Sequence, residues 1–200
     1  MKTREKILDE ALRLFARRGY DAVSVAEIAD AVGIKAPSLY KHYSSKRAIF
    51  DSIIERMNAA DAENARANEM PEEPEGEYAA VESDKIGGYS EVMLRYWTEN
   101  DFACNFRRML ELEQYNSPEM GALYQNYIAA GPVGYMTDIF ARMPQFPDAY
   151  AAAVEFYAPM YLMYKLFDAG EDIDRLCGLL GRHVQKFLGG NYGKMVKMGD

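Results

Sequence analysis

Residues 24–50, SVAEIADAVGIKAPSLYKHYSSKRAIF, carry the pattern that decides the fold. Ser24 with Glu27 three positions later is the signature of a helix start, in which each side chain satisfies the other's backbone N–H. Val25, Ile28, Ala29 and Val32 then repeat on one face of a short helix. Gly33 stands where the chain must turn through positive φ, and Ile34 is expected to fill the inside of that turn. Ala36-Pro37 opens a second short helix, since a proline loses nothing in a first turn. On it Leu39 and Tyr43 point inward, leaving Ser38, Lys41 and His42 on outer faces. Ser44 or Ser45 caps a longer helix with an apolar row at Ile49, Ile53, Ile54 and Met57, expected to run to about Asn68. Helix, turn, helix and a stabilising third element is the arrangement that presents one helix to a DNA major groove, ~12 Å wide.

Working outward, the N-terminal side supplies a supporting helix from Thr3 to Arg18. Its apolar face is expected at Ile7, Ala11, Leu14 and Phe15, with Gly19 as its stop and Tyr20 packing back. On the C-terminal side, residues 69–84 are acidic and interrupted by two prolines and a glycine, which reads as a loop. Beyond it the periodicity predicts helices near 85–100, 101–115, 118–129, 132–143, 148–168 and 171–188. Pro159 is expected to kink the fifth of these, and Gly189-Gly190 to close the last. No stretch alternates with period two, so the fold class is all-α. An N-terminal three-helix helix-turn-helix domain, residues 1–50, joins through a helix to a C-terminal helical domain, residues 51–200.

Charge sharpens the picture. The 200 residues carry −8 overall. The first 50 hold ten Lys and Arg against six Asp and Glu, a net +4, which leaves −12 on the other 150. A basic head on an acidic body points to an anionic partner for the head alone. Lys35, Ser38, Lys41 and His42 bring donors for phosphates or base edges. Lys46, at the start of the long helix, can meet a phosphate beside free N–H groups.

This stretch resembles the TetR family of bacterial transcriptional regulators. The resemblance rests on ILDEALRLFARRGY, VSVAEIADAVGI and APSLYKHYSSKRAIF and covers about the first 55 residues. It implies that Tyr40, His42 and Lys46 contact DNA, chiefly its backbone, and that Ala36, Pro37, Ser38 and Lys41 approach bases or phosphates. Lys35 stands where many members have a capping Ser, and Tyr43 replaces the commoner Phe. The resemblance further implies a second domain that binds a ligand and dimerises, with repression as the usual mode.

The remaining residues are compatible with that expectation. Aromatic and Met side chains recur along the middle helices and suit a cavity for an apolar or aromatic effector. Tyr96, Trp97, Phe106, Met109, Tyr127 and Met136 are the candidates to line it. The last two helices are rich in small residues that allow close approach. Met160, Tyr161, Tyr164, Leu176, Leu180, Val184 and Phe187 are the candidate apolar parts of a four-helix homodimer interface. Arg107-Arg108 beside Glu111 and Glu113 read as a charged helix face.

Other chemistry is thinly represented. Cys104 and Cys177 belong to no CxxC and read as buried hydrophobes. His42 and His183 are far apart, so no histidine metal site is expected, and no Gly-rich phosphate loop suggests a cofactor. No nucleophile–base pair suggests an enzyme. No run reaches the ~18 apolar residues of a membrane span, and the charged N-terminus is no signal peptide, so a cytoplasmic location is expected. The rival expectations are a DNA-binding regulator controlled by a protein partner and an enzyme with an attached DNA-binding head.

Overall fold

The computed structural model describes residues 3–71 and 83–189. Among the described residues ten helices follow one another: α1 (Thr3–Arg18), α2 (Val25–Val32), α3 (Ala36–Leu39), α4 (Lys46–Ala67), α5 (Ser83–Glu99), α6 (Asp101–Glu113), α7 (Pro118–Ile128), α8 (Ala130–Phe140), α9 (Ala149–Asp168) and α10 (Ile173–Leu188). The described residues contain no strand. Residues 72–82 of the expected loop and Gly190 of the expected stop lie outside them.

The helix ends follow from their capping chemistry. Ser24 accepts the Glu27 N–H while Glu27 accepts the Ser24 N–H at 2.8 Å, closing the capping box. Ser45 Oγ accepts the Ala48 N–H at 3.0 Å and Ser117 Oγ accepts the Met120 N–H at 3.2 Å. Asn100, Asp148 and Asp172 cap α6, α9 and α10 through their side chains. Gly19 (φ +82°) and Gly33 (φ +79°) end α1 and α2 in the left-handed region that favours glycine.

The chain divides into two compact units. One gathers Met1–Ala62 with Asn100–Tyr124; the other gathers Glu63–Glu99 with Gln125–Asp200. The cut falls inside α4, and α6 joins the first unit because α1 packs on α6 as well as on α2. That double packing widens the apolar face of α1. Ile7, Leu8, Ala11, Leu12 and Phe15 are buried, whereas Leu14 is half-exposed. Ile34 is likewise half-exposed. Tyr20 does pack back, its ring 5.1 Å from Phe15 and 5.2 Å from Phe50.

In the second unit α9 packs on α8, α10 and α5, and α10 packs on α5. Its core holds an aromatic cluster in which Phe140, Phe146, Phe156 and Phe187 lie 4.6–5.8 Å apart in successive ring contacts. His183 Nε2 sits 3.0 Å from the Phe156 carbonyl and so carries the proton. Tyr157 donates to the Ile128 carbonyl at 2.8 Å, and Arg95 reaches Asp174 at 2.7 Å, tying α5 to α10. Both cysteines are buried thiols.

Candidate nucleic-acid interface

α3 is only one turn long. Lys35 precedes it without a side-chain cap, and Pro37 occupies its first turn. Past Leu39 the backbone tightens: His42 N–H bonds Leu39 O at 2.8 Å and Lys41 N–H bonds Ser38 O at 3.3 Å. Ser38 therefore lies on the helix, while Tyr40, Lys41 and His42 follow in the turn that continues it, a shorter helix than expected. An uncapped start and a Ser-Ser stop leave little room for more.

Burial sorts this segment into two sets. Leu39 and Tyr43 are 0% and 4% exposed. Lys35, Pro37, Tyr40, Lys41 and His42 are exposed, and Ala36, Ser38 and Lys46 are half-buried. Tyr40, at 53%, is an exposed aromatic with no place in the core. The structure thus brings all eight candidate DNA-contacting residues onto or beside one outward-facing segment.

The segment is held from behind. Tyr43 donates its hydroxyl to the Arg4 carbonyl at 3.3 Å, and the Arg4 guanidinium lies 5.0 Å from its ring. Lys6 donates to the Val32 carbonyl at 2.9 Å, steadying the end of α2. Arg18 pairs with Glu27 at 2.7 Å and donates to Ala22 O. The Ser24 N–H and then Arg18 hold the Glu27 carboxyl down at a pKa of about 2, so the capping box is charged across the physiological range.

Lys46 has a more structural place than its sequence position suggests. Its ammonium donates to the carbonyls of Tyr20 (2.8 Å) and Val23 (3.0 Å) and lies 4.2 Å from the Tyr20 ring centroid. An ammonium carries three donors, so one remains for a phosphate. Burial pushes the Tyr20 phenol up, partly opposed by Arg47.

Two charges on the α6–α7 stretch also belong to this unit, with partners just past α1 and on α4 that sequence reasoning did not assign them. Glu113 is only 3% exposed. It accepts the Tyr20 N–H at 2.8 Å through Oε1 and the Asn116 side-chain N–H at 2.9 Å through Oε2. A Cβ on Gly19 would lie 2.5 Å from that Oε1, so the carboxylate needs this glycine. Glu119 pairs bidentately with Arg47 at 2.6 and 2.9 Å, which lowers the Glu119 pKa. Arg107, read as part of a solvated face, is fully buried and pairs with Glu111 at 3.0 Å.

The candidate effector residues fall in both units. Phe106 and Met109 are buried in the first. In the second, Trp97 and Tyr127 are buried with rings 6.4 Å apart, Tyr96 lies 5.8 Å from Trp97, and Met136 is buried. Two clefts of about 440 and 370 Å³ are lined by none of these six.

Of the candidate dimer residues, Tyr164, Leu176, Leu180 and Val184 are already buried in their own unit, and Phe187 stacks on Phe146. Met160 and Tyr161 are half-exposed. A different row on the same two helices is exposed: Val154, Leu162 and Leu166 on α9 and Leu179 on α10.

Among the described residues no group of His, Cys, Asp and Glu could hold a metal ion, and no helix is long and apolar enough to cross a membrane.

Comparison with known proteins agrees with this geometry. Residues 7–53 match the family described as bacterial regulatory proteins, tetR family. The HTH-type transcriptional repressor ComR of Escherichia coli (strain K12) is 40% identical over 53 residues, 26% of this chain and 25% of that protein. The match thus spans about a quarter of that relative's length. The structure of AibR in complex with isovaleryl coenzyme A and operator DNA superposes with a TM-score of 0.63 at 18% identity, covering 90% of this chain and 97% of that one. The SmeT–triclosan complex gives 0.64 at 15% identity, covering 93% and 91%. Residues 7–53 of this chain thus resemble the tetR family of bacterial regulatory proteins, and the chain along most of its length has the fold of these two solved structures.

Proposed function

We propose that the protein is a homodimeric, ligand-responsive transcriptional regulator, a repressor released from operator DNA by a small effector with an apolar or aromatic body. The observation that carries this reading is the outward set Lys35, Ala36, Pro37, Ser38, Tyr40, Lys41, His42 and Lys46, on a helix-turn-helix whose inward set is closed. Phosphate contacts from Lys41, His42 and Lys46 would position the segment. Ala36 brings no hydrogen bond, so it suits a thymine methyl. We assign DNA binding to residues 1–50 and effector binding and dimerisation to residues 51–200.

Two copies must pair for two recognition segments to reach successive major grooves, ~34 Å apart. The exposed row Val154, Leu162, Leu166 and Leu179 supports pairing through α9 and α10, with Met160 and Tyr161 at its border. The AibR and SmeT complexes, whose names record bound small molecules, support a small-molecule effector, and we assign its site to the second domain. The aromatic groups Tyr96, Trp97 and Tyr127 with Met136 are its candidate walls. Binding and release require no turnover, so the reading is of a non-enzyme, acting in the cytoplasm.

Selection from a random duplex library tests this. The protein should enrich a palindrome with half-sites about one helical turn apart. Enrichment of no sequence, with no retention of duplex at low salt, would refute it.

A further inference from the structure

α4 buries Ile53, Met57 and Ala65 along one face. Asp61 occupies the place between Met57 and Ala65 in that row, each four residues from the next. Its Oδ1 is sealed from water and has no hydrogen-bond partner. The residue as a whole keeps intermediate exposure, so the carboxyl stands at the edge of the buried row and can be reached. Three cations of α4 are held elsewhere: Lys46 by backbone carbonyls, Arg47 by Asp51 and Glu119, and Arg56 by Asp9 at 2.7 Å. Buried polar atoms in folded proteins are almost always paired, and one that is not calls for a missing donor. Burial, with no basic group opposing it, raises the Asp61 pKa to about 7.

We propose that Asp61 is a recognition residue for the effector, accepting a hydrogen bond from the ammonium of an apolar amine. This rests on the ligand-responsive reading above and narrows the effector class. An amine places its charge against the one acceptor in an apolar row. A charge-assisted bond of this kind is about twice as strong as a neutral one. A carboxylate of the same size meets like charge instead, and a neutral body leaves the acceptor unpaired.

The test uses full-length protein and three probes with one body: 4-phenylbutylamine, 4-phenylbutanol and 4-phenylbutanoate, titrated calorimetrically at pH 8. The amine should bind at least ~10-fold tighter than the carboxylate, the scale of discrimination a buried polar contact supplies. In Asp61→Asn, close in shape and uncharged, that preference should fall below ~3-fold. Equal binding of amine and carboxylate by the wild type, binding of none of the three, or an undiminished preference in Asp61→Asn would each overturn the assignment. DNA retention by the unliganded wild type and by Asp61→Asn, measured in parallel, separates the outcomes. Failure to retain DNA refutes the regulator reading and leaves the amine preference as measured.

Discussion

Single residues set the conditions under which this fold holds. Asp61 is a charge in the wrong place for stability. Its pKa of about 7 lies above the ordinary 3.8, so the folded chain binds a proton that the unfolded chain releases between those values. Stability from this group is therefore greatest below about pH 4 and falls as pH rises toward 7, then stays level. At full ionisation the penalty is on the order of 4 kcal/mol, an upper bound. Asp61→Asn should raise the melting temperature by several degrees at pH 8 and change it little at pH 4.5; a shift equal at both pH values would contradict this. Ser24 acts in the opposite sense. Ser24→Ala breaks the capping box and should cost ~1 kcal/mol, read from chemical denaturation. Residues also show where the sequence was explicit and where it was mute. Ser24, Gly33 and Tyr43 act through neighbours within a few positions or within one small domain, and their roles were legible. Glu113 and Arg107 were not. Arg107 sits four residues from Glu111 and Glu113 follows in the same charged stretch, which reads as a solvated face. Only the packing of α1 on α6 shows that they are inside.

At the scale of elements, most helix boundaries could be read because Pro, Gly and Asx or Ser caps fall between the periodic segments. The differences have local causes. α3 stops at Leu39 because nothing caps its start and Ser44-Ser45 claims the next helix. Leu12, not Leu14, is the inward residue of α1 because two helices flank it. The candidate dimer residues illustrate a harder case. On α9 apolar residues lie nearly all round the helix and on α10 they form one face, and periodicity alone does not say whether such a face meets its own core or a partner. Removing α10 would strip Leu176 and Leu180 from that core, so pairing is better tested on the exposed row. Val154→Glu with Leu162→Glu should give a folded monomer by analytical ultracentrifugation, with helical circular dichroism unchanged. A persistent dimer would place the interface elsewhere. Lys46 belongs to this scale as well, because it fastens the start of α4 to the turn between α1 and α2. Lys46→Ala should lower both DNA affinity and melting temperature, whereas Lys41→Ala, at an exposed position, should lower affinity alone.

At the scale of the whole chain, the +4 head and the −12 remainder reconcile an acidic protein with a nucleic-acid partner. Phosphate contacts make such binding steeply salt-dependent, and the acidic remainder disfavours contact anywhere but the head. The family resemblance and the helix-turn-helix were legible from the first 55 residues, and the all-α class from periodicity along the rest. The effector was not, because Tyr and Met serve a core and a cavity equally well. In the proposed function the outward face of α3 and its following turn binds duplex DNA through phosphates as a dimer. The most direct measurement is fluorescence anisotropy of the selected palindromic duplex across a salt series. Two protomers should bind per duplex, with affinity falling linearly on a log–log salt plot and a slope reduced by about 1 per protomer in Lys41→Ala. Salt-independent retention, or a slope unchanged in Lys41→Ala and Lys46→Ala alike, would contradict it.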